Sequence, residues 1–167
     1  MNVEIERQFL EAYDSWSDAI YRHCVFRLYS HVKAEDFMQE TFLRVWRYLS
    51  EGHQIENLRA FLYKVANHLI IDDSRKKKDQ SLEQLMEAKS IAEPTVRNDT
   101  EIERNILIEQ IRERMSDLSH EYQEILTLRY LDDLSPVEIA KIVGSNANAV
   151  SVKLNRAVKA LKTHFPI

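Results

Sequence analysis

The chain has 167 residues, of which 44% are hydrophobic and 30% charged, as in an ordinary soluble protein with one domain or two small ones. It contains only two glycines and three prolines. Sheets joined by tight turns need more of both, so the composition favours an all-α fold. The net charge of −4 argues weakly against a protein that coats nucleic acid, although such a total can hide basic patches.

Cysteine usage and the start of the chain indicate the compartment. The single cysteine, Cys24, excludes an internal disulfide bond and a cysteine-based metal cluster, and its apolar helical surroundings predict a packing role. No signal peptide opens the chain, and no apolar run approaches the roughly 20 residues that a membrane-spanning helix needs. We therefore expect a soluble, cytoplasmic protein.

The first half of the chain shows helical periodicity, with apolar residues every three or four positions. The pattern predicts helices at about 4–30, 34–49 and 57–76. The stretch "SEGHQIEN" separates the second helix from the third, with Gly52 as a helix stop and Asn57 as a cap. These helices form a first module, residues 1–78.

An acidic segment follows and is predicted to be a linker, residues 79–99. From Asp79 to Glu103 seven acidic residues face two basic ones, a local charge of −5, and Pro94 interrupts the sequence. The segment has no aromatic residue that could anchor it in a core. The chain is therefore expected to form two helical modules, the second of them covering residues 100–167.

The second module contains the stretch "SPVEIAKIVG", which predicts a short and fully capped helix. Ser135 and Glu138 have capping-box spacing, and Gly144 can end the helix with a positive φ. We expect Ile139, Ala140 and Val143 to bury one face of this helix.

A second helix is predicted after Asn146, so that the two helices form a helix-turn-helix. Polar and basic side chains early in a protruding helix suit the major groove. From Leu134 to Ile167 five basic residues face one acidic residue, a net charge of +4. An ordinary helical hairpin with a solvated basic face is the alternative interpretation. The residues expected to face outward or to flank that face are Asn148, Ser151, Val152, Lys153, Asn155 and Arg156.

A second basic cluster lies in the first module, from Arg59 to Lys78, where six basic residues face two acidic ones, again a net charge of +4. Aromatic and amide side chains lie on the same helix, a combination that suits single-stranded DNA. The alternatives remain open: "RKKK" is also typical of a solvated helix end, and Phe61 is equally suited to the core.

Taken together, the two halves resemble a known family. "AEDFMQETFLRVWRYL" and "LRAFLYKVANHLIIDDSRKKK" resemble region 2 of bacterial sigma factors. "LSHEYQEILTLRYLDDLSPVEIAKIVGSNANAVSVKLNRAVKAL" resembles region 4. The two-module layout with a short linker is similar to the extracytoplasmic-function (ECF) group of these factors.

The resemblance implies a function in transcription initiation with core RNA polymerase and promoter DNA. In the family, the "DxxQETF" helix docks on the clamp helices of the β′ subunit, and the factor also contacts the β subunit. The alternatives are a solvated acidic face and, for Phe42, a place in the core. The residues that match this docking motif are Asp36, Gln39, Glu40 and Phe42.

The resemblance also implies two DNA contacts. The loop Ser50–Asn57 would hold a flipped base of the −10 element, and the helix after Asn146 would contact the −35 element. Asp72 is open to a second interpretation, as a carboxylate that positions Arg75. The matching −10 residues are Asn67, His68, Asp72, Arg75 and Lys76. The expected −35 residues are Asn148, Ser151, Val152, Lys153 and Arg156.

The chain departs from the family pattern at Ser151, often basic, near Phe61, where a tryptophan is common, and at Ser119, often proline. A dedicated anti-sigma factor is a further partner that the resemblance implies. A free-standing helix-turn-helix regulator is the alternative function.

The sequence argues against an enzyme. The six histidines show no metal-ligand spacing, and no phosphate-binding glycine loop is present. No catalytic residue, metal ligand, cofactor or small-molecule substrate is predicted.

Overall fold

In the computed structural model, the structure describes residues 2–78 and 99–165, and the chain divides into two compact units that contain one range each. Within these ranges every regular element is a helix, which confirms the all-α prediction. None of these helices combines the length and the apolar character that a membrane crossing requires. The predicted linker lies outside the described residues except for Asp99, which already belongs to a helix.

Residues 2–78 of the first unit form three helices, and each helix packs against the other two. They are α1 (Val3–Leu28), α2 (His31–Ser50) and α3 (Leu58–Lys78). The predicted boundaries agree within three residues.

Local side-chain caps set the helix boundaries of the first unit. The Ser30 hydroxyl accepts a hydrogen bond from the backbone N–H of Lys33 at 3.2 Å, and this starts α2 directly after Tyr29 ends α1 in a left-handed conformation. The Asn57 side chain accepts a bond from the N–H of Ala60 at 3.0 Å, as predicted for a cap of α3. These caps satisfy backbone N–H groups that have no partner within the helix.

The core of the first unit draws on all three helices. Cys24 is fully buried, as predicted. The buried ring of His23 meets Tyr63 edge-on at 5.5 Å between ring centroids. The other buried side chains of this core include Ile20, Leu28, Val45, Leu49, Leu62, Ala66 and Ile70.

Residues 99–165 of the second unit form four α-helices and one π-helical turn. The elements are α4 (Asp99–Met115), α5 (His120–Leu126), the π-helical turn Thr127–Leu131, α6 (Pro136–Val143) and α7 (Ala147–Thr163). Helices α5 and α6 both pack against α7.

The core of the second unit lies where α5 and α6 meet α7. Ile139 and Ala140 are buried as predicted, but Ile142 is buried at 2% exposure where Val143 was expected. Val143 is only half-buried, so the inward face of α6 includes Ile142 in its place. The other buried side chains here include Ile125, Leu128, Leu134, Val150, Leu154 and Ala157.

One arginine links the end of α4 to the end of α7. The Arg114 side chain, near the end of α4, donates a hydrogen bond to the backbone carbonyl of His164, just after α7. Its guanidinium also lies over the Phe165 ring, 4.7 Å from the centroid, in a cation–π contact.

Candidate nucleic-acid and polymerase interfaces

The helix-turn-helix begins with α6, whose two ends are fixed by its own sequence. The Ser135 hydroxyl accepts a hydrogen bond from the N–H of Glu138 at 3.2 Å, and the Glu138 carboxylate accepts one from the N–H of Ser135 at 3.3 Å. At the other end Gly144 adopts a φ of 72°, which is strained for any residue with a Cβ. The capping box and the glycine stop are both confirmed.

Helix α7 then follows with one face buried and the other open to solvent. The Asn146 side chain accepts a hydrogen bond from the N–H of Ala149 at 2.8 Å, which confirms the predicted cap. Val150 and Leu154 hold the helix against the core. The predicted −35 residues lie on the open face and its flank: Asn148, Val152 and Arg156 are exposed, and Ser151 and Lys153 are half-buried.

Two of these side chains already have partners within the protein. The Ser151 hydroxyl donates to the carbonyl of Ala147 at 3.0 Å, so its hydrogen is engaged in its own helix while its oxygen can still accept. The Lys153 ammonium lies 3.6 Å from a carboxylate oxygen of Glu121, in the first turn of α5. This contact of Glu121 with Lys153 was not predicted from the sequence.

On α3, four of the five predicted −10 residues lie at the surface. Asn67 is the exception, because its side chain is only 1% exposed. It follows the buried Tyr63 by four positions and precedes the buried Ile70 by three, which places it on the inward face of the helix. The prediction that Asn67 contacts DNA was therefore wrong. The exposed residues are His68, Asp72, Arg75 and Lys76.

The neighbour of Asp72, rather than Asp72 itself, organises the basic end of α3. Asp73 forms ion pairs with Lys77 of the same helix and with Lys33 of α2, both at 3.5 Å. Burial lowers the pKa of Lys33 and the nearby Lys77 lowers it further, whereas Asp73 raises it. One carboxylate thus holds two ammonium groups together.

Three rings form an aromatic stack beside the loop between α2 and α3. Tyr48, in the last turns of α2, stacks on His53 of the loop at 4.3 Å between centroids and 20° between ring planes. Tyr48 also stacks on Phe61 of α3, at 4.9 Å between centroids and 30° between ring planes. The loop that the resemblance assigns to a flipped base therefore contains one ring of the stack, His53, which contacts a ring of α2.

Phe61, which the sequence left between a DNA contact and a core role, takes part in the aromatic stack. The ring is half-buried, so it lies neither in the core nor fully in solvent. The stacking of Tyr48 on His53 and on Phe61 was not predicted. The only signal in the sequence was the presence of aromatic residues on both sides of the loop, which does not determine whether their rings meet.

On α2, three of the four predicted docking residues are accessible. Asp36 and Gln39 are exposed, and Glu40 is half-buried with its carboxylate 2.8 Å from the guanidinium nitrogen of Arg44. The three side chains lie on one helix face by their spacing of three and four positions. They form an acidic and polar surface.

Phe42 does not belong to that surface. Its side chain is 2% exposed, and its ring meets Tyr13 at 4.9 Å and Phe9 at 6.1 Å, both edge-on. A ring buried between α1 and α2 is not available to a partner. The prediction that Phe42 contacts polymerase was therefore wrong, and the alternative, a core role, is confirmed.

Comparison with known proteins assigns both units to one family. Residues 12–80 match Sigma-70 region 2, and residues 108–161 match Sigma-70, region 4. The ECF sigma factor BldN of Streptomyces coelicolor is 30% identical over 163 residues, and the ECF sigma factor SigW of Bacillus subtilis is 28% identical over 163 residues. This chain belongs to the ECF group of sigma factors.

The similarity extends over nearly the whole of this chain, but over only part of BldN. The match covers 95% of this chain but 60% of BldN, and 92% of this chain and 87% of SigW. The fold is also that of the sigma factor RpoE of Bartonella quintana, whose structure contains the anti-sigma factor NepR. That comparison gives a TM-score of 0.69 at 18% identity and covers 95% of this chain and 96% of RpoE.

The surfaces described above all lie within the two sigma-factor regions. Region 2 includes the acidic and polar surface of α2, the aromatic stack and the basic end of α3. Region 4 includes the helix-turn-helix and the contact between Glu121 and Lys153.

Proposed function

We propose that this sigma factor binds core RNA polymerase in the cytoplasm and directs it to promoters with −10 and −35 elements. The observation that carries the proposal is the distribution of charge. Residues 59–78 and 134–167 each have a net charge of +4, and each belongs to a unit with a different sigma region. The factor has a regulatory role and uses no cofactor and no small-molecule substrate.

The second unit is assigned to the −35 element. Asn148 and Arg156 are exposed on α7, and an amide and a guanidinium are suited to base edges in the major groove. Lys153, on the flank of the same helix, is suited to a phosphate. Val152 offers an apolar contact for a thymine methyl group, and Ser151 can accept a hydrogen bond.

The first unit is assigned to the −10 element. Capturing a base outside the duplex costs a few kcal/mol, which stacking and phosphate contacts must offset. The aromatic stack supplies ring surface beside the loop, and Arg75 and Lys76 supply exposed positive charge nearby on α3. His68 and Asp72 offer polar groups on the exposed side of the same helix.

The exposed surface of α2 is assigned to polymerase. Asp36, Gln39 and Glu40 offer negative and polar groups that complement a basic partner, as expected for the β′ clamp helices. The β subunit is the second polymerase contact. An anti-sigma factor that covers these surfaces is the proposed regulator, and the NepR complex of the similar fold supports this assignment.

Run-off transcription tests the proposal. Core polymerase with this protein should produce transcripts from specific members of a genomic promoter library, and the protein alone should bind those fragments weakly in a gel shift. A free-standing helix-turn-helix regulator would instead bind a duplex operator tightly without polymerase. The absence of any transcript from the whole library would refute the proposal.

A further inference from the structure

An ion pair crosses from α5 to the predicted DNA-contacting helix α7. The Lys153 ammonium lies 3.6 Å from the Glu121 carboxylate, with 42% of the lysine side chain and 74% of the glutamate side chain exposed. Both groups are thus open to solvent on the same surface. A DNA phosphate that approaches Lys153 therefore meets the carboxylate as well.

The scaffold fixes the position of this carboxylate. The Ser119 hydroxyl accepts a hydrogen bond from the N–H of Tyr122 at 3.3 Å, which fixes the first turn of α5. The same helix packs directly on α7, with Ile125 and Leu126 buried. Glu121 is therefore presented to Lys153 by a capped and packed helix.

We propose that Glu121 is a negative determinant of −35 binding, which pairs with Lys153 in the free protein and must release it when a phosphate binds. The inference rests on the proposed −35 function of α7. Glu121 acts through Lys153, so it is a positioning residue. By holding one of the few cations of this surface, it keeps duplex affinity low until polymerase supplies the other contacts.

The chemistry predicts the size and the salt dependence of the effect. An exposed ion pair has a modest strength, so releasing Lys153 should raise duplex affinity by about two- to fivefold. In the wild type the carboxylate that releases Lys153 takes up counterion charge when the phosphate binds, so Glu121→Gln should make the slope of log affinity against log salt steeper by up to about 0.9. An effect on packing alone would leave this slope unchanged.

A double-mutant cycle on the full chain tests the inference. The probe is a promoter fragment selected in the run-off assay, and binding is measured by fluorescence anisotropy between about 50 and 200 mM salt. The variants are Glu121→Gln, Lys153→Gln and both together. Glu103→Gln is the matched control, since Glu103 is exposed on α4 and its substitution changes the net charge equally.

We expect Glu121→Gln to bind more tightly with a steeper salt slope, and Glu103→Gln to change little. In the Lys153→Gln background, Glu121→Gln should gain no more than the control. An equal gain in that background would show direct repulsion of DNA and overturn the inference.

The cycle also separates this inference from the proposed function. A loss for Lys153→Gln with no gain for Glu121→Gln would overturn the inference alone. No loss for Lys153→Gln would overturn the −35 assignment of Lys153 itself. Circular dichroism of each variant verifies that the helices are intact.

Discussion

The two basic surfaces have the same net charge but differ in how their cations are held. At the end of α3, Asp73 gathers Lys33 and Lys77 around one carboxylate, and an aromatic stack stands beside the neighbouring loop. On α7, the cations are distributed along one helix that a capped turn aims outward. The first arrangement suits an irregular single strand, where ring faces and a compact charge are useful. The second suits a regular duplex groove.

The two surfaces also differ in which helices must be in place for them to form. The first surface needs α2 and α3 in register, because the Lys33–Asp73 ion pair and the stacking of Tyr48 on Phe61 both join these two helices. The second needs mainly the turn between α6 and α7. We therefore expect damage to the core of the first unit to abolish its function, and damage to α7 to weaken function without unfolding.

The largest effect is expected for Phe42→Ala. Removing a buried ring should lower the free energy of unfolding of the first unit by about 3–5 kcal/mol, because it leaves a cavity between α1 and α2. Urea denaturation followed by tryptophan fluorescence measures this loss. Phe42→Leu is the control and should recover most of the stability. A variant that folds normally but no longer binds polymerase would instead restore Phe42 as a contact.

The next effect is expected for Lys153→Ala combined with Arg156→Ala. The pair should lower affinity for the −35 duplex by about one to two orders of magnitude and flatten the salt slope by about one per charge. Gel shifts with the holoenzyme at several salt concentrations measure both quantities. Unchanged promoter use by the double variant would refute the assignment. Lys141→Ala, on α6, is the control for a general loss of charge.

A comparable but more selective effect is expected for Tyr48→Ala. Tyr48 supports both other rings of the stack, so its loss should displace them and reduce affinity for the single-stranded −10 strand by about tenfold, since stacking contributes about 1–3 kcal/mol per base. Binding of the −35 duplex should stay the same, which sharpens the contrast between the two surfaces. Tyr48→Phe keeps the ring and should bind normally. Equal losses on both DNA probes would indicate a folding defect.

The smallest effect is expected for Asp73→Asn. Because Asp73 raises the pKa of Lys33 against burial and Lys77, its loss should lower that pKa further. NMR titration of the lysine side chains measures the shift, with Asp72→Asn as the control. An unchanged pKa would contradict the shared-carboxylate arrangement.

The sign of the corresponding stability change follows from linkage. The pKa of Lys33 is lowered on folding, so the unfolded chain binds more protons between the folded pKa and the ordinary value of 10.5. The contribution of Lys33 to stability therefore rises with pH through that window. Below the folded pKa it stays at its lower level.

Sequence reasoning succeeded where the structural signal is local. Ser135, Gly144 and Asn146 act on backbone groups within one turn of themselves, and each does in the structure what its residue type indicates. Periodicity likewise predicted the helices of the first unit, because an amphipathic face is a property of one segment. These local signals were sufficient to predict the all-α fold and the start of α7 after Asn146.

Prediction from sequence failed where packing between helices decides whether a side chain is buried and which side chains it contacts. Transfer of the family motif to Phe42 and Asn67 placed both on the correct helices, but burial depends on the neighbouring helices. The pairing of Glu121 with Lys153, and of Tyr48 with Phe61, joins residues far apart in the chain. No local pattern specifies such contacts, so they became visible only in the folded structure.

The contact between Arg114 and the end of α7 has a consequence for how the second unit opens. The chain segment between Arg114 and His164 contains α5, α6 and α7, so this contact closes a loop around the whole helix-turn-helix. Fraying of α7 from its C-terminal end must first break the hydrogen bond and the contact with Phe165. The backbone amides of these three helices should therefore lose protection against hydrogen exchange together, as one cooperative block.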